Sequence, residues 1–348
     1  MKQLILTVNY ELFFGDDSGT VNNCMIRPIN HLCDVLDEFK YKMTVFWDIL
    51  HYYRLKELSG SLPELRIDAE MIEKQIMWLI QKGHDVQMLI HPHWLDARWS
   101  NNKWKFSYNR FALHRLWDND DPDDINSIVG CITISKRLME QVCRRQDPSY
   151  KVRVFRAGGY RIEPFNQLSY ALLKNEIYAD SSAAHGIKSS YDPLPFNFTR
   201  LPLYKYYRFD DSVLYHDYEG KFWEFPKGTV SIPVYMHILF SLFNLFYRHR
   251  GRYGDGKKLG FMSKEKSFFV SSFEGSNFVR LTPEEVTPLI WNYFLKRAKD
   301  YDIAALSSKN LSPFTINMLK TSFIKRKLRF SSLIELIKRC EVYLDLKY

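Results

Sequence analysis

Two histidines, His91 and His93, follow a short apolar run, with Pro92 between them. A proline pushes the residue before it to extended backbone, where residues two apart share a face, so the spacing predicts both imidazoles on one side. Two imidazoles and a carboxylate make a ligand set for catalytic zinc and leave a position for water. Glu11, just beyond the first apolar run, supplies the carboxylate. The plainer alternative is that the pair only hydrogen-bonds the long aromatic loop behind it. Further polar groups stand at the ends of other apolar runs: Asn9, Asp48, Arg156 and Asp180.

The elements that must position these groups alternate along the chain. Apolar runs at "QLILTV", "MTVFWD", "HDVQMLI", "KVRVFRAGGY" and "IYADSS" read as strands. Between them, residues 28–40, 68–82, 125–145 and 163–175 read as helices, the second with Asp68 as N-cap and Gly83 as stop. Repeated strand–helix units imply a parallel sheet or barrel, in which reactive groups gather at the C-terminal strand ends. A loop-rich insertion over about 190–266 holds a strand pair near "SVLYHDY" and "FWEFPKGTVSIPV". Regular units return with "KSFFVSSF", a helix over 283–299 and "DIAALS". Residues 1–310 therefore read as one domain with an insertion, and 311–348 as a basic helical extension.

Composition narrows the class. The 348 residues are 46% hydrophobic, ample for a packed core. Aromatics are dense, with 25 Phe, 22 Tyr and 8 Trp, which suits a large core or the stacking of sugars. The net charge of +9 favours anionic partners but concentrates in 247–266 and 320–339, as on a solvated basic face. No nucleic-acid partner is expected. Five scattered cysteines without a CxxC pair suit a reducing compartment, and the N-terminal apolar run is too short for a signal peptide, so a cytoplasmic location is expected. Residues 232–252 carry about 14 apolar residues, short of the roughly 20 that span a bilayer. A buried helix is one reading of that segment; peripheral membrane contact through Arg248, Arg250 and Arg252 is another.

Taken in order, "TVNYE", "GHDVQMLIHPHW", "FRAGGY", "YADSS" and "FWEFPKG" resemble the NodB-like polysaccharide deacetylases, and most closely the branch found with surface-polysaccharide biosynthesis. The resemblance covers about residues 1–310. It implies an α/β fold, a distorted (β/α)7-type barrel with a divalent metal, zinc foremost, at its mouth, and removal of N-acetyl groups from amino sugars of a polysaccharide precursor. It also implies that Glu11 and His93 match metal ligands, that Arg156 with Gly158, Gly159 and Tyr160 orients the base and lines the oxyanion site, and that Asp180 and Glu224 match pocket motifs.

Three positions depart from the pattern. The family's aspartate base falls on Asn9, which cannot take a proton. Its first metal histidine falls on Leu89, and its late acid histidine on or near Ser272. Two readings follow. The chain keeps a metal through Glu11, His91 and His93 and remains a hydrolase, or it is an inactive relative that binds a glycan or a partner without turnover.

Overall fold

The computed structural model describes residues 2–190, 195–233, 235–236, 239–240, 242, 251–259 and 277–343. Ser272, the strand expected at 266–273, Arg248 and Arg250 lie outside the described residues, as does much of 232–252. Among the described residues, no helix is long and apolar enough to cross a membrane.

Seven strands carry the architecture: β1 (Gln3–Tyr10), β2 (Thr44–Asp48), β3 (Asp85–Ile90), β4 (Val154–Ala157), β5 (Ala179–Asp180), β6 (Phe222–Glu224) and β7 (Ile303–Ser307). Consecutive strands from β1 to β6 pair in parallel, and β7 returns to pair in parallel with the other edge of β1. The chain just past β6 closes the ring. Lys227 bridges Ala184 on one side and Ile303 on the other, and Gly228 N donates to Ile303 O at 2.8 Å. A Cβ at Gly228 would sit 2.7 Å from that carbonyl, so closure requires glycine there. Joining the last pair by bridges rather than a full ladder makes this the distorted seven-stranded α/β barrel that the sequence leads one to expect.

The strands are buried on both faces, as parallel sheets are. Ile5, Phe46, Leu89, Val154, Ala179, Phe225 and Ile303 fill the interior. Outside pack the helices α1 (Arg27–Glu38), α2 (Ile49–Leu58), α3 (Pro63–Gln81), α4 (Ile128–Cys143), α5 (Asn166–Lys174), α6 (Pro288–Arg297), α7 (Pro313–Arg326) and α8 (Leu333–Tyr343). The third begins at Pro63, which fits the first helical turn, so Asp68 lies inside it rather than capping it. In the insertion, β6 pairs antiparallel with Tyr207–Phe209, not with 212–218.

The C-terminal region is helical as expected, but it is not an appendage. Phe323 of α7 packs edge-on against Phe39 and Tyr41 at 5.2 and 5.1 Å, which seats α7 beside α1. Arg329–Ser331 pairs in parallel with Gln3–Ile5 at the start of β1. Leu333, Leu336, Ile337 and Cys340 then join the interior cluster, and Leu333 N donates to Thr44 Oγ1 at 2.8 Å at the start of β2. Their spacing puts one apolar stripe of α8 under the barrel, where it plugs the N-terminal end.

Candidate functional site

With the N-terminal end plugged, the polar groups at the other end face one another. β1 delivers Asn9 and Glu11, β2 Asp48, β3 His91, β4 Arg156, β5 Asp180 and β6 Glu224. They form two adjoining groups.

The first group is Glu11, Asp48 and His91, all buried, with ligand atoms within 4.8 Å of one another. Asp48 Oδ2 accepts from Trp94 Nε1 at 2.7 Å and lies 3.1 Å from His91 Nδ1. On the other edge of the ring, His91 Nε2 lies 3.8 Å from Glu11 Oε2. A Cβ on Gly158 would collide with this imidazole, so the glycine after β4 makes room for it. Burial raises the Asp48 carboxyl above its ordinary range, with His91 opposing. Burial also works to raise Glu11, but Lys309 and His91 together with the Ser307 hydrogen bond outweigh it and hold this carboxyl low.

His93 is not among these groups. The extended backbone ends at His91, and Pro92–Asp96 turns into a 3-10 helix started by the proline, so the alternation that would align the two rings is broken. The His93 ring stacks on Phe111 at 4.8 Å and meets Phe14 edge-on at 4.5 Å, and neither ring nitrogen has a hydrogen-bond partner. Burial, with His91 and Lys309 nearby, pushes its pKa well below the usual value, so it is a neutral imidazole in an aromatic box. Leu89 points into the barrel interior with Phe46 and Val154.

The second group is built around Arg156. Its Nε donates to Ser181 O at 2.8 Å, Nη1 to Asn9 Oδ1 at 2.8 Å, and Nη2 to Ser181 Oγ at 2.9 Å and Thr7 Oγ1 at 3.2 Å. The guanidinium lies 3.6 Å over the Phe46 ring. Beside it, Asp180 accepts from Ser182 N at 2.8 Å and Ser182 Oγ at 2.6 Å, and Glu224 accepts from Ala183 N at 3.2 Å. Burial, then the neighbouring Asp180, pushes Glu224 far above the carboxylate range. Lys227 lies 3.7 Å over the ring of Tyr160, a residue held at φ 63°.

Lys309, Ser307 and Lys227 complete the two groups, beyond the residues that the sequence marks. "DIAALSSKN" nevertheless ends its strand in polar residues, the same signal that marks Asn9 and Asp48. Two carboxylates, one of them with the partnerless, buried Asp48 Oδ1, and an imidazole are a donor set suited to a divalent cation. Glu11, Asp48 and His91, rather than Glu11, His91 and His93, are the residues that fit one.

No family model matches the chain, and no curated protein matches it. Among solved structures it is similar to deacetylase-type and related barrels. A CE4 family pseudoenzyme from Bacillus anthracis matches at 9% identity and a TM-score of 0.40, over 96% of this chain and 65% of that one. A protein assigned as a polysaccharide deacetylase from Mycobacterium smegmatis matches at 9% identity and 0.43, over 98% and 90%. Puue allantoinase matches at 8% identity and 0.49, over 98% and 90%. The chain thus spans about two thirds of the length of the pseudoenzyme.

Proposed function

We propose that this chain is a polysaccharide deacetylase-type hydrolase that removes N-acetyl groups from amino sugars during cell-surface polysaccharide biosynthesis in the cytoplasm. One observation carries the reading: Glu11, Asp48 and His91 gather at the C-terminal mouth of a seven-stranded barrel, from three adjacent strands, with ligand atoms within 4.8 Å of one another. Glu11, Asp48 and His91 would hold a divalent metal, for which zinc is proposed. When bound, such a metal polarises an acyl carbonyl and lowers the pKa of water.

The chain's own residues supply the rest. Asp48 at Nδ1 sets the orientation of His91. Asn9 cannot act as base, so proton transfer falls to the Asp180 and Glu224 pair, whose carboxyls are both raised above their ordinary range. Arg156 fixes Asn9 and Ser181 beside that pair, and Tyr160 with Lys227 walls the sugar side. Acetate release from an N-acetylated amino-sugar oligosaccharide in the presence of zinc, lost in His91→Ala and Glu11→Gln, tests the reading. A protein that binds the glycan with no release overturns it.

A specific observation favours a second reading, an inactive deacetylase-like protein that binds glycan without turnover. The Asn9 amide is locked to Arg156 at 2.8 Å in the place of a base, and Leu89 offers no ligand atom. Glycan binding with equal affinity in wild type and Glu224→Gln, and no acetate from either, distinguishes it.

A further inference from the structure

Glu11 divides its two oxygens between different neighbours. Oε2 faces His91 Nε2 at 3.8 Å, whereas Oε1 faces the Lys309 ammonium at 3.1 Å and accepts from Ser307 Oγ at 2.9 Å. The ammonium is itself held in place. It donates to Leu12 O at 2.8 Å and lies 4.4 Å from the centre of the Phe14 ring, the ring that packs 4.6 Å from His91. Lys309 therefore seats a cation, just past β7, on the carboxylate that a metal would need. Two cations beside one buried carboxylate repel far more strongly than they would in water.

We propose that Lys309 is a built-in competitor of the divalent cation at Glu11, so that this chain takes up metal only as the ammonium leaves Oε1. The inference rests on the metal reading above and adds a residue to it. It also gives the site a common direction: with Asn9 in place of a base and Leu89 in place of a ligand, a tethered ammonium supplies positive charge to Glu11 without any metal. Lysine suits this task because its charge is compact and sits on a flexible stem, so it can swing aside.

Zinc titration of the full-length protein against a chromophoric chelator tests the proposal. Lys309→Met keeps the aliphatic stem on Phe14 and removes the charge, and it is expected to bind zinc at least about tenfold more tightly than wild type. Lys309→Arg keeps the charge and is expected to retain the wild-type affinity, and Glu11→Gln is expected to abolish binding. An affinity in Lys309→Met equal to or weaker than wild type, with Glu11→Gln still losing the metal, overturns the competitor role and leaves the metal reading standing. Absence of zinc binding in wild type and every variant overturns both. If Lys309→Met shows no cooperative thermal transition, Lys309→Gln replaces it under the same expectations.

Discussion

Arg156 Nη1 donates to Asn9 Oδ1 at 2.8 Å, and this bond joins the fourth barrel strand to the first across the mouth of the barrel. Asn9 is where the resembling family places a base, so the guanidinium holds an amide where a carboxylate would form an ion pair. Replacing Asn9 by Asp gives a charge-assisted bond without a change of shape. On the reading without turnover, Asn9→Asp combined with Leu89→His is expected to create acetate release that the wild type lacks, because a positioned base is worth about 10²- to 10⁴-fold. Wild-type turnover equal to that of the double variant would show that Asn9 costs nothing. Leu89→His alone buries an imidazole between Phe46 and Val154 and should lower stability by about 1–3 kcal/mol in urea melts.

His93 and His91 should respond oppositely to substitution. His93→Phe fills the same aromatic box and removes two partnerless ring nitrogens, so thermal melts should show unchanged or higher stability and zinc affinity should hold. His91→Ala should lose the metal. The reverse pattern would restore His93 to the ligand set.

The buried histidines also set an acid limb of stability. Burial pushes His93 well below its ordinary value and His51 down to about 3. Depressed folded-state pKa values mean that the unfolded chain binds more protons below the ordinary 6.5, so stability is full above that pH and falls as pH drops below it. His93→Phe should flatten this limb between pH 6.5 and 5, read as the midpoint of urea unfolding at each pH. An unchanged slope would mean that the ring is not buried as a neutral group.

Glu224 should act with the opposite sign. Its folded-state pKa is raised above 4.5 by burial and by Asp180, so its contribution is present below that pH and is lost as pH rises through the folded value. Glu224→Gln keeps the shape and removes the titration, and should melt higher than wild type at pH 8 while losing acetate release. A lower melting temperature at that pH would place a stabilising anion on Glu224.

The plug under the barrel is open to a direct test. Leu336 is buried on α8 among the interior residues, so Leu336→Ala should cost about 2–5 kcal/mol by chemical denaturation. A loss below about 0.5 kcal/mol, the range of ordinary surface changes, would mean that α8 is an appendage after all.

Local pattern made much of this protein legible in advance. Apolar runs separated by helical spacing specify parallel strands, and the polar residues at the ends of those runs, Glu11, Asp48, His91, Arg156 and Asp180, mark the mouth. Three matters were decided only by the tertiary structure. Whether His91 and His93 share a face depends on where the strand stops, and Pro92 begins a turn that sends the second ring into aromatic packing. The neighbours of Glu11 come from Asp48, His91 and Lys309, as many as 298 residues away along the chain, and no local period brings them together. The basic C-terminal segment looks like an extension because its apolar stripe has no visible partner in sequence. Only the closed ring of strands creates the opening that Leu333, Leu336 and Ile337 fill.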